Sequence, residues 1–427
     1  MFEKLIYSAK SLLNKPFKVG IISPQYLDKA SNQGVAIHTY YLSEGLAKLG
    51  CDVHVFTMGE KDSVKTEFIG EGRRIVHKIN VNSGLPQVDP TLKRKLGTFM
   101  FDSLILTKIF NENAKEKFDI MHSQITMNSG LISKYFTDAK WIHTFHSLER
   151  LRVKYTSKEN KRYMGVVNWM QSNVTYPDAI ISVSEDLRKD ILKAYPALKG
   201  SRVFNIPNGV DLETFKPNNE PLKDKRVLFI ARFSMEKGID IVEKISRRVL
   251  KEDSEIKIEL IVPIDNYLSE SMEKIKKRLE ATEKEFPERF IWHKTSVDRE
   301  KLNEIYNQCT VYIQPSRYES FGMTVLEAMA CGKATIVSNR GGMPEIVRDG
   351  GMVIPLNTKL FVAGILRLIG DYRLRERYSR RAIKRAENFS WEDISKRTLE
   401  LYKIIAKRKE ADETEKIEEA MKGLDRA

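Results

Sequence analysis

The stretch that most constrains this chain is Tyr318-Glu-Ser-Phe-Gly-Met-Thr-Val-Leu-Glu-Ala-Met-Ala-Cys-Gly332, preceded by the apolar run Thr310 to Pro315. The short apolar run reads as a buried strand. The residues after it read as a loop opening into a helix. Met323 to Cys331 are good helix formers, and Gly332 suits the position after the last turn. Ser320 is placed to accept from early helix amides, and Gly322 lets the backbone pass close to a ligand. Strand, loop and helix start together make an anion site, because unpaired amides and the helix dipole face whatever sits in the loop. Two carboxylates bracket that site, Glu319 in the loop and Glu327 one turn into the helix. A bare phosphate is poorly served by two carboxylates, whereas sugar hydroxyls are well served. The pattern points to a sugar joined to a diphosphate.

The rest of the chain supplies two α/β halves. Phe17 to Ser23 is a buried-type strand, followed by a polar loop through Asp28, Ser31 and Asn32 to Gln33-Gly34. Val35 to Leu49 is an amphipathic helix stopped by Gly50, and Val53 to Thr57 is the next strand. This is the first unit of a doubly wound sheet. It lacks Gly-x-Gly-x-x-Gly, so no dinucleotide site is read there. Residues 60 to 80 form a hairpin or surface excursion, and Thr98 to Phe118 is helical. Asp119 to Ser123 and Lys140 to Thr144 are strands. His146 directly follows the second, where open α/β sheets bind ligands. His143 faces the other side of that strand and packs, and His122 is a weaker candidate. Ala179 to Val183 is a strand, with Ser184 as N-cap for Glu185 to Tyr195. After the strand Val203 to Pro207 comes the turn Asn208-Gly-Val-Asp211, then a polar linker over 217 to 224 with two prolines.

The second half begins with the strand Arg226 to Ala231. It runs into Arg232-Phe-Ser-Met-Glu-Lys237-Gly238 and a helix from Ile239. Two cations thus stand at the carboxyl end of a strand beside another helix start. Arg232 can fork two phosphate oxygens and Lys237 adds a point charge. Glu259 to Pro263, Phe290 to His293 and Ala334 to Ser338 are further strands, and Glu300 to Gln308 is helical. Gly341-Gly342 forms a turn and Pro344 fits the first position of a helix. From Tyr372 the chain is helical and basic, and Arg373 to Arg385 reads as a solvated face. Phe389-Ser-Trp391 opens a last helix to about Lys407, capped by Ser390.

With 427 residues the chain is long enough for two or three domains with real cores. Its 41% hydrophobic and 30% charged content is ordinary for a globular protein. No secretory signal and no bilayer-spanning run is read. Three cysteines, Cys51, Cys309 and Cys331, lack metal-ligand spacing and fit a reducing cytosol. The net charge of +14 admits nucleic acid, an anionic membrane or anionic small substrates. Basic residues are spread along the chain and no nucleic-acid module is present, so no nucleic-acid partner is expected. Phe2, Leu5, Ile6, Ala9, Leu12 and Leu13 recur at helical spacing, with Lys4, Lys10 and Lys15 between them. Such a helix either packs on its own domain or lies on an anionic membrane. The expected location is cytoplasmic, with the inner membrane face open as a peripheral seat.

The spacing of Glu319 and Glu327, the Phe-Gly between them, and Gly341-Gly-Met-Pro-Glu345 resemble the Glu-x7-Glu signature of retaining glycosyltransferases of family 4, which includes sucrose and glycogen synthases. Ile206-Pro-Asn-Gly-Val-Asp-Leu-Glu-Thr-Phe-Lys-Pro217 resembles that family's interdomain segment. The resemblance covers about residues 17 to 407. It implies an α/β chain of GT-B fold, with two Rossmann-like α/β/α domains facing across a cleft and a C-terminal helix crossing back to the first. The expected divisions are an amphipathic helix over 1–16, an acceptor domain over 17–216, a donor domain over 217–388, a crossover helix over 389–407 and a charged tail over 408–427.

The resemblance also implies an activity, the transfer of a sugar from a UDP-, ADP- or GDP-sugar to an acceptor hydroxyl with retained configuration. Arg232 and Lys237 would neutralise the departing diphosphate, together with amides around Phe321, Gly322, Met323, Thr324, Val325 and Leu326. Glu327 would hold the ribose hydroxyls and Glu319 those of the sugar. His146 would contact the sugar from the opposite domain, Gly34 would approach the donor phosphate, and His293 borders the base. No Asp-x-Asp is present, so neither a metal nor another cofactor is expected. Where the family often has a glycine-rich turn, this chain has Ile264-Asp265-Asn266. The segment His146 to Tyr155 is similar to that of members acting on sugar phosphates. Arg150, Arg152 and Lys154 there either grip an anionic acceptor or form a plain basic helix face. A small sugar, a sugar phosphate and a lipid-linked glycan all remain open as acceptors. Two rival activities are a nucleotide-sugar epimerase of the same fold and a non-enzymatic sugar-nucleotide sensor. A membrane-associated scaffold would leave Glu319, Glu327, Arg232 and Lys237 unexplained.

Overall fold

The computed structural model describes residues 15–27, 34–81, 90–125, 127–155, 174–198, 200–218, 220–222, 224–264 and 268–407. The amphipathic start (2–13), the loop residues Asp28, Ser31, Asn32 and Gln33, the departure at Asp265-Asn266 and the tail 408–427 lie outside them.

Two sheets carry the fold. The first contains β1 (Lys18–Ile22), β2 (Asp52–Gly59), β3 (Ser63–Ile69), β4 (Gly72–Asn80), β5 (Ile120–Ser123), β6 (Lys140–Phe145), β7 (Ala179–Ser182) and β8 (Val203–Asn205), in the order β3-β4-β2-β1-β5-β6-β7-β8. All neighbours run parallel except β3, which returns antiparallel against β4 as an edge hairpin. The second contains β9 (Lys225–Ile230), β10 (Ile256–Ile261), β11 (Phe290–His293), β12 (Val311–Gln314), β13 (Ala334–Ser338) and β14 (Gly351–Ile354), ordered β11-β10-β9-β12-β13-β14 and all parallel. Parallel strands need helical crossovers on both faces. This is why β1, β5, β12 and β13 are buried throughout. In both sheets the strand order reverses beside the first strand, and the crevice that binds ligands in such sheets lies outside the strands' carboxyl ends.

The last helix, Trp391–Lys407, leaves the second half and packs on the first. Ile394, Leu401, Tyr402 and Ile405 are fully buried there against Val19, Ile37, Leu42 and Leu46. Ser390 caps this helix, its hydroxyl accepting the Asp393 amide at 3.1 Å. Contact with the Gly34–Lys48 helix is close at Gly45, where a Cβ would lie 2.7 Å from Ser395 Cβ. Replacing this glycine would ordinarily help a helix by about 1 kcal/mol. Here Gly45→Ala is expected to destabilise by about 1–3 kcal/mol, because the two helices must part. A lowered thermal midpoint without loss of secondary structure would register it.

The other histidines at the first sheet's centre are structural. His143 pairs with Ser123 Oγ at 2.8 Å, on the packing side as expected. His122 meets Thr144 Oγ1 at 2.7 Å and the Tyr402 hydroxyl, and is buried. Among the described residues no helix is long and apolar enough to cross a membrane.

Candidate active site

Of the polar residues singled out in the second half, Arg232, Lys237 and Glu319 come together past the carboxyl ends of β9 and β12. After β9 a short turn of 3-10 helix, Met235–Lys237, carries Lys237. Its ammonium donates to Glu319 Oε2 at 2.8 Å, so two of the residues expected at the donor site are in contact. Arg232 pairs with Glu236, and Arg152 from the first half donates to the other Glu236 oxygen at 3.0 Å. Glu236 is buried between these guanidinium groups. Burial pushes its pKa up, but Arg152, Arg232 and Lys237 overcome this and hold it at about 2. Glu236 was not singled out in the sequence. The signal was there in its place four residues after Arg232 and directly before Lys237.

The helix after the loop spans Met323–Ala330. Ser320 is not its cap. Gly322 holds that position at φ 114°, a conformation that favours glycine, with no side-chain cap bond. The Ser320 carbonyl instead accepts from Ser184 Oγ of the first half at 2.6 Å. An uncapped start directs the amides of Met323, Thr324 and Val325 outward, since they precede the first intrahelical bond. Leu326 does not share this role, because its amide is committed to the Gly322 carbonyl at 3.1 Å. Phe321, Val325 and Leu326 are buried in the core, and Phe321 packs edge-on to Phe389. Phe321 and Val325 can therefore meet a ligand only through the backbone.

Glu327 lies deep in the site and is buried. The Tyr306 hydroxyl donates to one carboxylate oxygen at 3.0 Å, and Arg299 reaches the other at 3.4 Å. Burial raises the pKa of Glu327, and Arg299 works against that rise. His293 ends the edge strand β11 and engages the buried Glu259 at 2.8 Å. That bond places it in a polar network with Arg226 (2.6 Å from Glu259) rather than in the Glu319 cluster.

The first half contributes a second face. Gly34 opens its helix against Met323, and a Cβ there would sit 3.2 Å from the Met323 sulfur. One turn on, the buried His38 bonds Asn208 Oδ1 at 2.8 Å and lies edge-on to His146, ring centres 4.7 Å apart. His146 Nε2 meets Gln124 Oε1 at 2.6 Å. Burial holds His38 down at about 4 and His146 well below the ordinary value, so both are neutral near pH 7. His38 escaped the sequence reading because a histidine on a helix's inner face looks like core. Of the three basic residues in the segment after β6, only Arg152 joins the cluster. Arg150 is exposed and donates to the Ala194 carbonyl at 2.9 Å, and Lys154 is exposed above the Tyr155 ring. Further contacts tie the halves around the loop. The Leu148 amide donates to the Tyr318 hydroxyl at 3.2 Å, and Glu345 accepts the Glu185 amide at 3.0 Å.

Known proteins match this chain in sequence and in fold. The family model described as Glycosyltransferase Family 4 matches residues 32–214, and that described as Glycosyl transferases group 1 matches 210–385. An alpha-maltose-1-phosphate synthase of Mycolicibacterium smegmatis is 28% identical over 399 residues, covering 87% of this chain and 96% of the relative. A sucrose-phosphate synthase structure from Thermosynechococcus elongatus superposes with a TM-score of 0.74 at 22% identity, covering 91% of this chain and 99% of that one. An Anabaena protein solved with UDP-glucose superposes with a TM-score of 0.66 at 16% identity, covering 90% and 99%. With both halves matched in sequence and the whole architecture matched in structure, the chain belongs to the group 1 glycosyltransferases of family 4 and is an enzyme of the GT-B fold.

Proposed function

We propose that the enzyme moves a sugar from a UDP-sugar to a hydroxyl of a sugar phosphate, with retention of configuration and without a metal ion. The observation that carries this reading is the contact of Lys237 with Glu319, beside Arg232 and the uncapped start of the Met323–Ala330 helix. The matched proteins add support: two are named as synthases of sugar phosphates and one was solved with UDP-glucose.

In the proposed reaction the bond from the anomeric carbon to the diphosphate oxygen breaks and the acceptor oxygen bonds the same face of that carbon. The acceptor proton passes to the departing phosphate. The main electrostatic need is to neutralise charge growing on that oxygen, and preorganised donors meet it best. Lys237, Arg232 and the amides of Met323 to Val325 are the donors. Glu319, tied to Lys237, is suited to orient sugar hydroxyls rather than to attack carbon as a free nucleophile would. His146, neutral, offers a hydrogen bond to the sugar from the opposite half. Glu327, held by Tyr306, takes the ribose hydroxyls.

The direct test is UDP-glucose binding and transfer in EDTA, then with magnesium. A thermal shift and turnover onto glucose phosphates in EDTA are expected; turnover only with magnesium would overturn metal independence. The anomeric configuration of the product, read by NMR, tests retention. Tyr306→Phe is expected to raise the donor KM roughly 3- to 10-fold with kcat nearly unchanged, since it loosens a group that binds without taking part in bond breaking. Steady-state kinetics in both substrates would show the split.

A further inference from the structure

The first sheet carries a cluster that sugar transfer does not use. His54 lies on β2 and His77 on the neighbouring β4, where the register sets Phe56 opposite His77, so the two imidazoles are diagonal neighbours on one face. His54 Nδ1 and His77 Nε2 are 3.1 Å apart. Glu112, near the end of the Pro90–Lys115 helix, brings Oε2 to 3.7 Å from the same Nδ1. Each of the three residues offers one ligand atom, and these atoms lie within 4.8 Å of one another. Both imidazoles are buried, with Phe56 stacked on His77 at 4.7 Å and Phe118 edge-on to His54 at 5.3 Å. β1 and β5 separate β2 from β6, the strand that leads to His146.

Hydrogen bonds alone satisfy this cluster badly. A neutral imidazole has one donor and one acceptor nitrogen, and a carboxylate only accepts. With the His54 proton on Nδ1, the buried Nε2 is a bare lone pair facing Asp52 Oδ1 at 3.6 Å. With the proton on Nε2, aimed at Asp52, His77 can donate to His54 Nδ1, but Glu112 Oε2 then faces that lone-pair nitrogen at 3.7 Å with no proton between them. A cation resolves the conflict by accepting all three lone pairs. Tetrahedral zinc, with bonds to nitrogen and oxygen of ~2.0–2.1 Å, sets its ligand atoms about 3.4 Å apart. Two of the three separations, 3.1 Å and 3.7 Å, bracket that value, and the third, between His77 and Glu112, lies within 4.8 Å, so the Glu112 side chain closes in when the ion binds. Asp52 then stands behind His54 as the carboxylate that orients a ligand histidine. Asp52 is in turn held by the Arg73 guanidinium, which donates to its carboxylate at 2.6 Å. Lys115 binds the other Glu112 oxygen at 2.7 Å and leaves Oε2 for the ion.

We infer that His54, His77 and Glu112 form a binding site for a zinc-class divalent cation that pins β2 and β4 to the Pro90–Lys115 helix. Three protein ligands leave the fourth position to water. The ion's binding energy counts toward the stability of the first half, since the site does not exist in the unfolded chain. The site is independent of the donor site, so zinc removal lowers the melting temperature and leaves the UDP-glucose shift in place.

The test uses the full chain, stripped of metal and then titrated with cobalt and zinc. One equivalent of cobalt giving tetrahedral ligand-field absorption is expected, displaced by zinc, together with a rise of several degrees in melting temperature. Glu112→Gln, on a partly exposed helix position, is expected to weaken cobalt binding at least roughly tenfold. His77→Gln should abolish it; should that variant fail to fold, the Glu112→Gln titration decides alone. A folded, stripped wild type that takes up no cobalt overturns the inference. So does undiminished cobalt binding by Glu112→Gln.

Discussion

Lys237→Ala is expected to lower kcat for sugar transfer by about 10²–10³-fold, the usual cost of removing one preorganised donor from a developing oxyanion. Its ammonium is mostly shielded from solvent, so little water dilutes its charge, and it also fixes Glu319 at 2.8 Å. Losing it therefore removes a countercharge for the diphosphate and releases the carboxylate that holds the sugar. Arg232→Ala should cost less, because Arg232 is 64% exposed and already shares Glu236. Lys237→Arg keeps the charge but not the point-like geometry, and should restore only part of the rate. Steady-state kinetics on folded variants decides the matter: a Lys237→Ala enzyme within threefold of wild type would remove Lys237 from the reaction.

The architecture was legible because parallel sheets write themselves plainly. Short apolar strands end at polar runs, and it is at those ends that Arg232, Lys237, Glu319 and His146 stand. Groups whose role depends on a partner far away in sequence were not legible. Glu236 lies beside Arg152 only because the two halves meet, across a separation of 84 residues. Ser320 has the right chemistry for a helix cap, but the left-handed Gly322 comes between it and the helix and Ser184 claims its carbonyl. Arg150, Arg152 and Lys154 look alike in sequence; backbone direction after β6 sends one to Glu236, one to the Ala194 carbonyl and one to solvent. The helix Met127–Thr137 leaves little trace, since Asn128-Ser129-Gly130 has the composition of a turn. It is fixed by packing instead: a Cβ at Gly130 would lie 2.1 Å from the Trp141 indole nitrogen.

Arg152→Ala is expected to destabilise the protein by about 3 kcal/mol at neutral pH, because it strands a buried carboxylate rather than deleting a surface pair. Glu236 has only 7% of its side chain exposed, and its remaining partner Arg232 is largely in solvent. The same group sets a pH dependence whose sign is fixed by its lowered pKa. Glu236 falls from an ordinary 4.5 to about 2 on folding. Its ionised form is thus favoured by the folded state, which corresponds to roughly 3 kcal/mol. That stabilisation is complete above about pH 4.5 and is lost as pH falls toward 2. The gap in melting temperature between wild type and Arg152→Ala should be widest near neutrality and should close through that window. Glu236→Gln, which removes the buried charge itself, should flatten the acid limb without reproducing the full loss at pH 7. Because Arg152 and Glu236 belong to opposite halves, the variant should also loosen closure over the donor and raise its KM. Equal stability of Arg152→Ala and wild type at pH 7 would show that the halves are held by the backbone contacts of Ser320 and Glu185 instead.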